Sequence, residues 1–333
     1  MNTNEIVKLY RQQLSKIDIN EAPLDLCNGV SGILFLNTRL SILSSKDLTN
    51  YLKILYERAC TVSDLDILNG ISGISLTLRE VIRAGLVEGD INLVSVDIDN
   101  QIMRSIFTND NILNDSRLAI QLVIYFITRV SDESNKQRFI LYKELIIYIF
   151  QRLFDNLDAS FFIAPRCFSL FNYELPFLLL IMAKMASFGI FKEQIERKLF
   201  EIEDQILSIP YLDCNKIVLL FGLNEISLIW PRYKSPTRVL IHSINTDRII
   251  SEIGMSNTLF NTGLTGLYYI IKRLKGVFGH TVGKTLLQMN SMILSSKPLD
   301  CFRNDQYFKT HFGLFGELGS IMFHIGNSRY GEV

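Results

Sequence analysis

A polar-to-apolar step recurs along the chain and predicts most of its elements. Cys27-Asn28-Gly29-Val30-Ser31-Gly32-Ile33-Leu34-Phe35-Leu36 opens on a polar residue, passes two glycines three apart, and runs into apolar positions. Leu68-Asn69-Gly70-Ile71-Ser72-Gly73-Ile74-Ser75-Leu76 repeats it almost letter for letter, 41 positions later. Phe260-Asn261-Thr262-Gly263-Leu264-Thr265-Gly266-Leu267 carries it again and continues into Tyr268-Tyr269-Ile270-Ile271. Phe312-Gly313-Leu314-Phe315-Gly316-Glu317-Leu318-Gly319 closes the series. Glycines at the start of an apolar helix let another backbone approach closely. A preceding Asn predicts a cap, its side chain accepting from a free backbone N–H.

Three weaker copies lie between. Asp115 replaces the glycine in Leu113-Asn114-Asp115-Ser116-Arg117-Leu118-Ala119, ahead of a helix predicted over 120–127. Phe171-Asn172-Tyr173-Glu174-Leu175-Pro176 precedes a helix over 177–186, and Leu219-Leu220-Phe221-Gly222-Leu223-Asn224-Glu225 precedes one over 226–230. Leading positions at 29, 70, 115, 172, 222, 263 and 316 make seven units, each long enough for two helices and their loops. An amphipathic helix (Ile6, Leu9, Tyr10, Leu14, Ile17) precedes the first unit, with a turn near Pro23, and residues 46–60 form another helix. Strand alternation is scarce. The expectation is an all-α chain, one domain over residues 1–333 without linkers. The last copy is as apolar as the first, whereas an open array needs polar terminal repeats. Closure into an α/α-toroid of about seven inner and seven outer helices follows. The glycine-rich starts of the inner helices, with their backbone N–H groups, would gather at one mouth.

Composition narrows the function classes. The chain has 333 residues, 48% hydrophobic, with 34 basic and 34 acidic side chains. A net charge of zero argues against a general nucleic-acid binder. It also gives solubility no help, so partners or self-association are expected. Cys27, Cys60, Cys167, Cys214 and Cys301 form no C-x-x-C pair, and their odd number suits a reducing cytosol. Met1 to Leu14 lacks the apolar core of a signal peptide. The greasiest runs, 145–150 and 177–182, are too short to span a bilayer. The expected location is cytoplasmic. Gly279-His280-Thr281-Val282-Gly283-Lys284-Thr285 nearly matches a phosphate-binding loop, but its first glycine is one residue too close and it follows a helix.

The repeated Asn-Gly-x-Ser-Gly-Ile pattern, with Gly-x-x-Gly at each predicted inner helix, resembles the lanthionine synthetase C-like (LanC-like) family. The resemblance covers nearly the whole chain and is carried by copies one, two, six and seven. It implies an α/α-toroid and a bacterial pathway that matures ribosomally made peptides by adding Cys thiols to dehydrated Ser or Thr. It also implies one zinc ion at the mouth, held by a Cys of the fifth motif and a Cys-His pair before the sixth motif's glycine. Three such ligands leave one position for a substrate thiol, which the metal makes a thiolate. An acid/base His and an Asp would assist.

This sequence departs at each of those places. The Cys-His pair falls on Asn261 and Thr262, and the fifth-motif Cys near Leu220. The fourth-motif His falls near Phe171 and the third-motif Asp near Asn111, beside Asp110. The chain contains no Cys-His dipeptide. The expectation is therefore a zinc-less, non-catalytic member without a cofactor, a pseudoenzyme of lanthipeptide (RiPP) biosynthesis. It would bind a precursor peptide or a modifying enzyme such as a dehydratase. The alternative is an active thioether cyclase with an unusual site and zinc. A further alternative is another α/α-barrel enzyme such as a glycoside hydrolase, which needs a carboxylate pair beside stacking aromatics. The single Trp230 lies in an apolar run.

The candidate residues divide accordingly. Asn261 and Thr262 read as the polar floor of a peptide-binding mouth, or as helix caps. Cys214 reads as a displaced thiolate ligand, or as a buried thiol. His311 directly precedes the seventh motif, His324 follows an inner-helix run, and His242 and His280 lie outside the motif starts. Glu174, Glu225 and Glu317 read as an acidic ring that attracts a cationic peptide, or as first-turn residues favoured by helix dipoles.

Overall fold

Helical periodicity and repeated apolar stripes are realised as helix wherever the chain is described. The computed structural model describes residues 3–109, 111–157, 159–255, 257–279, 282–296 and 312–329. These residues hold seventeen α-helices and no strand. Their contacts group into two units, Met1–Phe154 with Leu294–Val333, and Asp155–Ile293.

In the first unit, α2 (Val30–Leu40), α4 (Ile71–Arg83), α6 (Ser116–Asp132) and α17 (Glu317–Arg329) form one row, in the order α17, α2, α4, α6. Around it pack α1 (Thr3–Leu14) on α17, α3 (Ser45–Ala59) on α2 and α4, and α5 (Ile91–Thr108) on α4. Row helices and covering helices thus alternate along the chain, as a helix-pair repeat requires. The row helices bury their glycine-rich starts as well as their apolar stripes, for Val30, Ile33, Leu34 and Ile74 are fully buried. The Tyr10 hydroxyl ties α1 to the seventh motif by donating to the Phe312 carbonyl at 2.6 Å.

A polar knot lies where α4, α5 and α6 meet α7 (Lys136–Asp155). Asp99 and Arg129 are both buried and paired at 3.1 Å. The hydroxyls of Tyr125 and Tyr142 donate to Asp99, each at 2.5 Å, and Ser75 lies 2.9 Å from the Tyr125 hydroxyl. A buried carboxylate is tolerable only with such a complete set of partners.

In the second unit, α11 (Asp213–Ile229) is central. It packs on α8 (Leu175–Ser187), α12 (Lys234–Ser243), α13 (Thr246–Ile253) and α14 (Leu264–Arg273). The shorter α9 (Lys192–Glu201) and α10 (Glu203–Leu207) follow α8; α15 (Lys275–Phe278) and α16 (Gly283–Ser295) follow α14. The fifth motif is corrected here. Residues 219–225 are the interior of α11 and not a loop before a new helix. Gly222 serves a helix crossing: a β-carbon there would lie 2.5 Å from the Pro176 carbonyl oxygen. The helix predicted over 226–230 is only the last turn of α11, so Glu225 does not open a helix.

Candidate functional site

The motif copies share one local construction, and it differs from the expected cap. The helices after Gly29, Gly70 and Gly263 have no side-chain cap. Instead, the preceding loop folds back and offers main-chain carbonyls. The N–H groups of Val30, Ile71 and Leu264 donate to the carbonyls of Pro23, Asp64 and Asn257, seven residues earlier, at 2.9, 2.8 and 2.9 Å. The hydroxyl two positions after the first glycine completes the clasp. Ser31, Ser72 and Thr265 donate to the carbonyls of Leu24, Leu65 and Thr258, again seven residues back. The second glycine is required by the same fold-back. A β-carbon on Gly73 or Gly266 would collide with the carbonyl of Ile67 or Phe260. Gly32 and Gly319 face the carbonyls of Leu26 and Gly313 in the same way, and the Gly316 carbonyl accepts from Ser320 N–H at 2.8 Å. At the Gly29, Gly70 and Gly263 copies the first helical N–H is thus taken by the loop and not held open for a ligand.

Asn28 and Asn69 accordingly do not cap. Their own N–H groups donate to the carboxylates of Asp25 and Asp66, which turn the loop. Asp115 is the exception that explains its missing glycine. Its side chain caps α6, accepting from the N–H groups of Arg117 and Leu118 at 2.9 and 3.1 Å.

Asn261 has a role that neither sequence reading captured. Its carbonyl accepts from Leu170 N–H at 2.8 Å, and its Oδ1 accepts from Phe171 N–H at 3.1 Å and the Ser169 hydroxyl at 3.3 Å. The Phe171 and Phe260 rings stack beside it, 6.3 Å apart. The sixth motif is thereby bolted to the loop before α8. Thr262 contributes its carbonyl, which accepts from Asn257 Nδ2 at 2.8 Å. Among the described residues, the Asn261 Nδ2 group and the Thr262 hydroxyl, both half-buried, have no hydrogen-bond partner.

Cys214 lies in the first turn of α11, so the fifth helix start is Asp213-Cys214-Asn215. Glu252 of α13 caps this helix from outside, accepting from the N–H groups of Asp213 and Cys214 at 3.1 and 3.0 Å. Asp213, fully buried, pairs with Lys216 at 2.7 Å. The Cys214 thiol is buried, and burial first, then the Glu252 carboxylate, push its pKa up. A thiol so placed stays protonated at neutral pH and is neither nucleophile nor ready metal ligand.

The remaining candidates are spread over both units. Glu174 stands at the N-cap position of α8 without a side-chain cap, Glu225 lies far along α11, and Glu317 opens α17. The three are therefore not in register at helix starts. His324 is buried in α17 and His242 is exposed on α12. Asp110, His280, Cys301 and His311 lie outside the described residues. Among the described residues no group of three His, Cys, Asp or Glu is arranged to hold a metal ion. Asn261, Thr262 and the fully buried Leu220, where the resemblance would put the Cys-His pair and the Cys, supply neither thiolate nor imidazole. Among the described residues no helix is long and apolar enough to cross a membrane. The chain matches no protein-family model and no curated protein.

Sequence reasoning missed the Ser31, Ser72 and Thr265 clasp, although its signal was present as a hydroxyl at the same place in three copies. It also missed Glu252, which carries no local signal because it acts from another helix.

Proposed function

We propose that the chain is a cytoplasmic, LanC-like protein of ribosomal peptide maturation that binds a precursor peptide without catalysing its cyclisation. In this reading the repeats close into an α/α-toroid of about seven inner and seven outer helices, and residues 1–333 act as one domain. The observation that carries the loss of chemistry is Asn261. At the position of the family's zinc-binding Cys, its carbonyl and Oδ1 bolt two loops together. What it retains for a ligand is a half-buried amide donor beside the Thr262 hydroxyl. Such a pair suits the main-chain carbonyls of an extended peptide. A dehydratase acting on the same precursor is the partner this reading implies.

The test uses a dehydrated, Cys-containing lanthipeptide precursor. The purified protein binds it saturably, forms no thioether when incubated with it, and holds no stoichiometric zinc. Thioether rings, or one tightly held zinc per chain, would overturn the proposal. The second reading is a cyclase with an unusual site that uses Cys214, which would need that thiol to be released from its burial. It requires thioether formation that Cys214→Ala abolishes.

A further inference from the structure

The first unit contains a cavity of about 490 Å³ between the end of α1, the α2–α3 connection and the start of α3. This falls within the roughly 300–1,000 Å³ of sites that take small organic molecules. Leu14, Ile17 and Ile42 give it an apolar wall, and Arg11 and Asp47 are its charged residues. Arg11 is held in place: its Nε donates to the Ile42 carbonyl at 2.9 Å and its Nη2 to the Ser41 carbonyl at 2.7 Å. Ser41 adopts a left-handed backbone (φ 48°) that ends α2 there. The second terminal nitrogen, Nη1, has no partner among the described residues. Asp47 is fixed likewise, with Oδ2 accepting from the Ser44 hydroxyl at 2.6 Å and Oδ1 unpartnered. The two charges line one cavity yet form no ion pair with each other. Tyr51, only 6% exposed, also lines the cavity, and among the described residues its hydroxyl has no bonding partner. The hydroxyl itself is not sealed from solvent, so it can bond to a ligand that enters the cavity.

We propose that this cavity binds a small apolar zwitterion of dipeptide size, its carboxylate on Arg11, its ammonium on Asp47, its aliphatic side chains on the Leu14 and Ile42 wall, and the Tyr51 hydroxyl hydrogen-bonded to it. Fixed opposite charges with free hydrogen-bonding atoms are complementary to a ligand carrying both signs. The site is independent of the peptide-maturation reading, since it uses none of the repeat-motif residues.

The probe is L-leucyl-L-leucine, titrated calorimetrically into the full chain beside its N-acetylated, C-amidated form. The free dipeptide binds saturably, and blocking both ends weakens it by at least about tenfold. Tyr51→Phe weakens binding about three- to tenfold and leaves the unfolding midpoint unchanged or raised, because no protein hydrogen bond is lost. Arg11→Met abolishes binding; should that variant fail to fold, Tyr51→Phe still decides. No saturable binding of the free dipeptide, equal binding of the blocked form, or full affinity in Tyr51→Phe would each overturn the proposal.

Discussion

Asn261 illustrates how a polar side chain expected to cap its own helix can bond to a distant loop instead. Asn is a good helix cap, so the sequence reading placed it on its own helix. In the fold it accepts from the Phe171 N–H and the Ser169 hydroxyl, some ninety positions away. Asn261→Ala leaves the part-buried Phe171 N–H short of an acceptor, and chemical denaturation should show a loss of about 1–3 kcal/mol. Asn261→Asp keeps the acceptor and should retain most of the stability. Cysteine reactivity gives a second residue-level expectation. Iodoacetamide at neutral pH labels the exposed Cys60 and Cys167 in the native protein and spares the buried Cys27 and Cys214. Peptide mass spectrometry reads this directly, and rapid labelling of native Cys214 would contradict the protonated thiol described above.

At the level of elements, the Gly-x-x-Gly start was legible as a unit but not as a mechanism. The letters showed that something must approach the glycines closely; they did not show that the visitor is the loop immediately upstream. Gly266→Ala drives a β-carbon into the Phe260 carbonyl and should cost about 1–3 kcal/mol or more, as overpacking does. Ser72→Ala removes only the hydroxyl half of the same clasp and should cost about 1 kcal/mol. The fifth element was misplaced for a physical reason. Gly222 sits among apolar residues just as a motif glycine does, but here the close neighbour is α8 crossing mid-helix. A single sequence does not distinguish a glycine that admits a loop from one that admits a helix. The buried Asp99–Arg129 pair was equally hidden, because its members are 30 positions apart on separate helices. Asp99→Ala strands the Arg129 charge, and calorimetric or denaturant unfolding should register a loss of about 3–5 kcal/mol.

For the molecule as a whole, the all-α character was legible from periodicity, as was the alternation of row and covering helices seen in the first unit. Buried tyrosines set its alkaline limit. Burial raises the pKa of Tyr10, Tyr125 and Tyr173, and that of Tyr142 to about 12. These phenols ionise at lower pH in the unfolded chain than in the folded one. Their contribution to stability is therefore complete below the unfolded value, near pH 10, and is lost as pH rises beyond it. Unfolding midpoints measured from pH 7 to 11.5 should begin to fall above about 8.5, where the buried Cys27 and Cys214 thiols ionise in the unfolded chain, and fall more steeply above about 10. The fold-back clasp has a consequence for how such a chain can change length. The distance from loop carbonyl to helix N–H is seven residues in all three copies that carry it, while the spacing between motifs ranges from 41 to 57. The clasp therefore acts as a ruler. An insertion or deletion within residues 23–32, 64–73 or 257–266 would break this register, whereas a change of length in the covering helices would leave it intact. A residue inserted between Leu65 and Ser72 shifts the register of every bond in that clasp, whereas one inserted after Arg83 disturbs none of them.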